Sequence, residues 1–238
     1  MEQLDWLAVV RHGLSTGNVT AQDAETGGAE IIDIPERDAD VPLSDTGREQ
    51  AEAVGEFLRE HRPDLAIVSP YLRTRQTAEI ALAGLDVPFV VDERLRDREL
   101  GVLDLLTGRG VQVRLPEEAK RRARHGKFYY RPPGGESWAD VLLRLRALLR
   151  EVREDHPHGR VVLFAHEATV LMVRYLAEHL LEQDLMELAH ATTIANCSVS
   201  SWKRDGDQLV PERFNAVEHL HREDAPATRQ EDVNAEPV

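Results

Sequence analysis

Short apolar runs alternate with longer amphipathic stretches along the chain. Four runs are rich in β-branched residues and apolar on both faces, which is typical of buried parallel strands; they cover about residues 5–10, 64–68, 87–91 and 160–165. Between the runs, helical spacing of apolar residues predicts helices over about residues 46–60, 70–83, 116–126, 137–155 and 167–181. Two closing strands are predicted at 198–202 and 213–217. This alternation predicts an α/β fold, a three-layer α/β/α sandwich around a mostly parallel sheet.

Local signals refine these boundaries. Ser69 and Pro70 are predicted as the N-cap and first residue of one helix, and the spacing of Ser137 and Asp140 predicts a capping box for another. Residues 14–43 are polar and are predicted as a long loop, a length usual for functional segments. Residues 1–221 are predicted as a single domain with a lid-like insertion at about 101–135, followed by a disordered tail over 222–238.

Composition and charge argue against several classes of protein. The chain has 238 residues, one cysteine and a formal net charge of −14, which argues against nucleic acid or an anionic membrane as partner. It has no apolar run long enough to span a membrane and no visible secretory signal. We therefore expect a cytoplasmic protein. The sequence leaves oligomeric state open, a homodimer included.

Charge is unevenly distributed. Between residues 94 and 131, Arg and Lys outnumber Asp and Glu, although the whole chain is acidic. One interpretation is a solvated helix face around residues 117–127. The other is a basic lid that attracts anionic substrates.

Candidate chemistry lies where three predicted strands end. Arg11 and His12 follow the first strand, Arg73 follows the second after a short turn, and His166 follows the fourth. Carboxyl ends of parallel strands meet at one edge of a sheet, where ligands bind. Two arginines and two histidines at one edge suit phosphate binding and phosphoryl transfer.

The motifs that carry these residues resemble the histidine phosphatase superfamily, which includes phosphoglycerate mutases. The resemblance covers residues 5–217 and rests on the segments Arg11–Asn18 (RHGLSTGN), Pro42–Gly47 (PLSDTG), Ser69–Ala78 (SPYLRTRQTA), Gly135–Ser137 (GES) and on His166. It implies a phosphoglycerate mutase-like fold, with His12 as nucleophile and Arg11, Arg73 and His166 as the catalytic phosphate pocket. Arg75 competes with Arg73, but the register of the Gln-Thr-Ala that follows favours Arg73.

The proton donor departs from the family pattern. Where the family has Glu, this chain has Asp97, and we predict Asp97 as the general acid with Glu99 as the alternative. The family's second histidine is usually followed by Gly, but here by Glu167, a carboxylate that would repel phosphate unless it turns away or binds an arginine.

Further residues are predicted to bind substrate by their place in the motifs. They are Ser15, Asn18, Arg98, Glu136 and Asn196. A turn residue is the equal alternative for Asn196. The pair Asp38 and Asp40 matches an aspartate-phosphatase signature but follows no apolar strand, so we set it aside, and we interpret Cys197 as a buried inert thiol.

The resulting prediction is a phosphomonoesterase acting on a small phosphorylated metabolite through phosphohistidine, with no cofactor and no metal. The first alternative is a 2,3-bisphosphoglycerate-dependent phosphoglycerate mutase, supported by Arg98 after the acid and by Arg121 and Arg122, which resemble the mutases' paired arginines. Against it, the stretch from 122 to 136 is shorter than the mutase insertion. The second alternative is a non-catalytic phosphoester-binding module.

Overall fold

The computed structural model describes residues 4–230. Its strands are β1 (Trp6–Arg11), β2 (Leu65–Val68), β3 (Phe89–Val91), β4 (Arg160–Ala165), β5 (Val199–Asp205) and β6 (Gln208–Ala216). Its helices are α1 (Thr16–Thr26), α2 (Asp45–His61), α3 (Leu72–Ala81), α4 (Gly108–Arg114), α5 (Pro116–Tyr129), α6 (Trp138–Asp155), α7 (Glu167–Ala177), α8 (Glu182–Ala191) and α9 (Glu218–Arg222).

One mixed sheet organises these elements, in the order β3-β2-β4-β1-β5-β6. The first four strands of that order run parallel, and β5 and β6 are antiparallel to their neighbours. Successive side chains of β1 point to opposite faces of the sheet, so they pack in two separate parts of the core. Leu7 and Val9 pack in the apolar cluster with α6 and α7, while Ala8 and Val10 pack in the cluster with α2 and α3. The predicted three-layer α/β/α fold is confirmed.

The predicted pattern missed the helices α1, α4, α8 and α9. Residues 14–43 contain α1, whose N-terminus is held by a capping box between Ser15 and Asn18. This helix buries only Gly17, Asn18 and Ala21, so it carries no apolar stripe. The helix predicted over 167–181 ends at Ala177, and α8 follows as a separate helix.

The start of α3 also differs from the prediction. Its N-cap is Tyr71, which makes no side-chain capping bond, so Ser69 and Pro70 lie before the helix. By contrast, Ser137 and Asp140 form the predicted capping box of α6, and Gly206 lies in the predicted turn between the last two strands.

The C-terminal region departs from the predicted disordered tail as far as residue 230. Ala225 is buried, the Gln50 amide donates to the Pro226 carbonyl at 2.7 Å, and the Thr228 hydroxyl donates to Asn196 Oδ1 at 3.0 Å. Residues 231–238 of that predicted tail lie outside the described residues. The boundary at residue 221 stays a prediction. Within residues 4–230, no helix combines the length and apolarity needed to cross a bilayer.

Candidate active site

The ends of β1 and β4 bring the two predicted histidines together. These strands are parallel and pair Arg11 with Ala165, and the His12 amide donates to the Ala165 carbonyl at 2.9 Å. His12 and His166 therefore leave the same sheet edge. Their rings are fully buried, with centroids 5.3 Å apart in an edge-to-face arrangement.

The contacts of His12 determine which ring nitrogen carries its proton. His12 Nδ1 lies 2.8 Å from the Gly13 carbonyl oxygen. A carbonyl only accepts hydrogen bonds, so Nδ1 is the donor and the neutral ring keeps its lone pair on Nε2. This is the tautomer that a nucleophilic Nε2 requires.

Two glycines from separate motifs explain the packing behind His12. A Cβ on Gly13 would lie 2.4 Å from the Gly47 carbonyl oxygen, and one on Gly47 would lie 2.1 Å from the Leu14 carbonyl oxygen. The backbone after β1 therefore lies directly against the first turn of α2. Any side chain at either glycine would separate the two segments and move His12.

Arg73 is the second residue of α3 and is almost fully buried. Its Nη1 donates to the backbone and side-chain oxygens of Asp38, at 2.7 and 2.8 Å, and its Nη2 lies 3.3 Å from Asp97 Oδ2. The guanidinium thus lies between two carboxylates from separate loops. Arg75, the competing arginine, is exposed.

His166 is the N-cap residue of α7, and its ring nitrogens lie near Ser69, Thr74 and Asp97. Its Nε2 lies 2.8 Å from the Ser69 hydroxyl, and its Nδ1 lies 3.3 Å from Asp97 Oδ2. The Tyr71 ring packs edge-on against it at 5.1 Å. Burial raises the Tyr71 pKa far above its usual value, so this wall of the pocket is a neutral phenol.

The two candidate acids lie in different surroundings. Asp97 is 1% exposed and approaches both Arg73 and His166, while its Oδ1 accepts the Arg98 amide at 2.8 Å. Glu99, two residues later in the same loop, is exposed. Of these two carboxylates, the fold places Asp97 in the histidine pocket.

Arg11 is completely buried, and two backbone carbonyls accept hydrogen bonds from it. Its guanidinium donates to the Ile194 carbonyl and, at 2.7 Å, to the Gln230 carbonyl. Glu167 Oε2 lies 3.8 Å away, and Glu167 Oε1 accepts the Ile194 amide at 2.9 Å. Glu167 therefore binds an arginine of the pocket, which is one of the two ways in which it would avoid repelling phosphate.

Ser15 and Asn18, predicted to bind substrate, form the capping box of α1. The Ser15 hydroxyl accepts the Asn18 amide at 3.0 Å, and Asn18 Oδ1 accepts the Ser15 amide at 3.1 Å. Both are buried, and they follow His12 by three and six residues. Their observed contacts fix the position of the loop that follows the nucleophile.

Asn196 contacts the backbone of the predicted nucleophile. Its Nδ2 donates to the His12 carbonyl at 3.3 Å, and its Oδ1 accepts the Thr228 hydroxyl. Cys197, next to it, is fully buried with φ of +52°, and burial raises the pKa of its thiol. This position fits the interpretation of an inert thiol.

Arg98 follows Asp97 directly in the chain and contacts Glu136. Arg98 is 6% exposed and its Nε donates to the Glu136 carbonyl at 2.7 Å. Burial, and secondly the positive charge of Arg122, lower the Arg98 pKa to about 10. The Glu136 carboxylate binds Arg96 and Arg144, so its visible contacts support the loop that carries Asp97.

Sequence reasoning missed several residues that the fold adds to this site. They are Asp38, Gln50, Ser69, Tyr71, Thr228 and Gln230. The signal for Asp38 was present in its pairing with Asp40, but it was set aside because no strand precedes it. Ser69 was assigned to a cap that the helix does not use.

Comparison with known proteins decides the family. The family model described as histidine phosphatase superfamily (branch 1) matches residues 7–217. The chain belongs to this superfamily. The prediction that it is a histidine phosphatase, a phosphoric monoester hydrolase, is confirmed at the level of the family.

Curated relatives include both mutases and phosphatases. The chain is 30% identical to 2,3-bisphosphoglycerate-dependent phosphoglycerate mutase 2 of Gloeobacter violaceus, over 79% of this chain and 84% of the relative. It is 31% identical to 6-phosphofructo-2-kinase/fructose-2,6-bisphosphatase of Gallus gallus, over 63% of this chain but only 30% of that relative. The histidine phosphatase match therefore spans less than a third of the chicken protein.

Among solved structures, this histidine phosphatase superposes on mycobacterial glucosyl-3-phosphoglycerate phosphatase complexed with VO3. The TM-score is 0.73 at 26% identity, and the alignment covers 90% of this chain and all of that one. The likeness thus extends over nearly the whole fold.

Proposed function

We propose that this histidine phosphatase hydrolyses the phosphomonoester of a small phosphorylated metabolite, without a metal, through a phosphohistidine at His12. The observation that carries the proposal is that the buried rings of His12 and His166 lie together. Arg73, next to them, forms ion pairs with both Asp38 and Asp97. Side chains supply the nucleophile, the charge that stabilises the transition state and the proton donor.

In the first step, the His12 Nε2 lone pair forms the N–P bond while the bond from phosphorus to the leaving oxygen breaks. Asp97 gives its proton to that oxygen, so the alcohol leaves neutral. In the second step, a water oxygen attacks phosphorus, the N–P bond breaks, and Asp97 takes the water proton. Free enzyme and inorganic phosphate result.

Through its contact with Asp97, Arg73 links substrate binding to the proton transfer by Asp97. Its Nη2 approaches Asp97 and its Nη1 binds Asp38. A phosphoryl group that takes over the Arg73 donors releases Asp97 from this ion pair. The freed carboxylate then takes up the proton of the monoanionic phosphoester, and this is the proton that it gives to the leaving oxygen. Substrate binding therefore places the carboxylate where proton transfer requires it.

The proposed partner is a small phosphoester rather than nucleic acid or a membrane surface, in keeping with the net charge of −14. Arg98 is the residue from which we infer which phosphoesters are preferred. A buried guanidinium, repelled by Arg122, favours a substrate with a second anionic group beyond the phosphate.

Steady-state phosphate release from p-nitrophenyl phosphate, with EDTA, tests the proposal. We expect turnover that survives EDTA and falls by at least about 10³-fold in His12→Ala. Arg59→Gln, on the exposed face of α2, is the matched control and should retain full activity. Turnover that EDTA abolishes would overturn metal independence, and unchanged turnover in His12→Ala would overturn the phosphohistidine.

The mutase is the second candidate, since the Gloeobacter relative bears that name and Arg98 lies close to Arg122. Isomerisation of 3-phosphoglycerate, primed with 2,3-bisphosphoglycerate and accompanied by little phosphate release, would favour it. Phosphoester binding without either reaction would favour the non-catalytic alternative.

A further inference from the structure

A second cluster of arginines lines a cleft on the surface of α6 and α7. The cleft has a volume of about 340 Å³, which is within the range of small-molecule sites. Arg146, Arg150 and Arg153 line it from one face of α6, and His179 lines it from the end of α7. Apolar side chains complete the lining, including Leu149 and Leu176.

The cleft lies far from the histidine pocket along both helices. His166, at the start of α7, belongs to the carboxyl edge of the sheet, whereas the cleft is formed by the last turns of α7 and the second half of α6. The end of α6 leads into the start of β4, which is the amino edge. This arginine cleft is therefore a separate place in the fold.

The three arginines differ from most others in the molecule. Carboxylates outnumber cations in this chain, 43 to 29, and pairs such as Arg94 with Glu151 and Arg174 with Glu178 are common. Across residues 4–230, however, Arg146, Arg150 and Arg153 have no carboxylate within 4.0 Å. Glu151 and Glu178 bind Arg94 and Arg174 instead, and within the described part of the chain Glu154 and Asp155 on α6 form no ion pair with the three arginines.

Arg153 adds a second observation. Its Nε is buried and has no hydrogen-bond partner among the described residues. Burial alone lowers the pKa of this arginine. A desolvated guanidinium donor without an acceptor is unfavourable, and an anion in the cleft would relieve that cost.

We propose that the arginine cleft binds a small organic molecule with two or more phosphate charges. Guanidinium forks at positions i, i+4 and i+7 of one helix face would contact the phosphate oxygens in pairs. The Tyr175 ring and the leucines would contact the organic part. The proposal does not depend on the reaction at His12.

Isothermal titration calorimetry with ADP, pyrophosphate and inorganic phosphate tests this proposal in a His12→Ala background, which prevents turnover. We expect ADP to bind more tightly than inorganic phosphate. Arg150→Gln combined with Arg153→Gln should weaken ADP binding by at least about tenfold. Arg59→Gln, the matched surface control, should leave binding unchanged.

Two results would overturn the proposal. One is equal ADP affinity with and without the two cleft substitutions, which would assign the binding to the histidine pocket. The other is equal affinity for ADP and inorganic phosphate, which would indicate an unspecific anion site. If the double variant does not fold, Arg150→Gln alone, at an exposed position, provides the same comparison.

Discussion

Two basic regions of this histidine phosphatase use their charges differently. In the histidine pocket, Arg11 and Arg73 are buried, and carbonyls or carboxylates bind them at defined distances. In the α4–α5 segment, Gly108–Tyr129, charge is mostly exposed: Lys120 pairs with Glu117 and Arg121 with Glu118, one turn apart. Positive charge alone therefore does not identify a functional group. What distinguishes the pocket is burial with fixed partners.

Arg122 is the exception within the α4–α5 segment. It is half-buried, burial lowers its pKa, and its charge acts on Arg98. The solvated helix face describes Arg121, whereas the basic lid that attracts anionic substrates stays a prediction. Arg121 belongs to a solvated helix face, while Arg122 faces the loop that carries Asp97.

The largest expected effect is at Arg73. Arg73→Ala removes the guanidinium between Asp38 and Asp97, and kcat/KM for phosphoesters should fall by about 10³-fold. Arg121→Ala, in the other region, should change kcat/KM by less than about twofold because its pair is exposed. Similar losses in both variants, measured by phosphate release, would remove the distinction between the regions.

Asp97 should show an effect that depends on the leaving group. Asp97→Asn removes the proton donor, so kcat on an alkyl phosphate should fall by about 10²-fold or more, and much less on p-nitrophenyl phosphate. Glu99→Gln is the matched control and should retain activity on both, since Glu99 is exposed. Loss of alkyl phosphate turnover in Glu99→Gln instead would reassign the acid.

Arg98 gives a pH-dependent prediction. Its pKa is lowered to about 10, so its positive charge is present below that value and is lost as pH rises through it. KM for a phosphoester with a second anionic group should therefore rise above pH 9, while KM for p-nitrophenyl phosphate changes less. Arg98→Gln should raise KM for the first substrate by about tenfold at neutral pH and abolish this extra pH dependence.

Substitution of Glu167 should have a smaller effect than the other changes, and it should strengthen anion binding instead of weakening it. Glu167→Gln keeps an oxygen to accept the Ile194 amide but removes the negative charge 3.8 Å from Arg11. Product phosphate should then inhibit several-fold more strongly, because Arg11 becomes more available to anions. Glu167→Ala, which also removes the acceptor, should lower the thermal midpoint as well. Weaker phosphate inhibition in Glu167→Gln would contradict this account.

Sequence alone was sufficient for three parallel strands and for the groups at their ends, whereas the last strand, β6, begins at Gln208 instead of the predicted residue 213. Buried parallel strands are apolar on both faces, so β1, β2 and β4 stand out, and chain order places Arg11, His12 and His166 at their carboxyl ends. The α1 helix was missed because it lies at the surface and buries little apolar area, so capping rather than periodicity defines it.

Only the tertiary structure determines which residues that are distant in the chain contact each other. Asp38 contacts Arg73, and Ser69 contacts His166. The Gln230 carbonyl contacts Arg11. The partners in each pair are too far apart in the chain for local sequence spacing to predict the contact. The choice of Asp97 over Glu99 is of the same kind. Both have the same local neighbours, and only the packing of the loop against Arg73 and His166 buries one carboxylate and exposes the other. Periodicity and motifs specify which groups reach the sheet edge, whereas packing between distant segments determines what each group touches there.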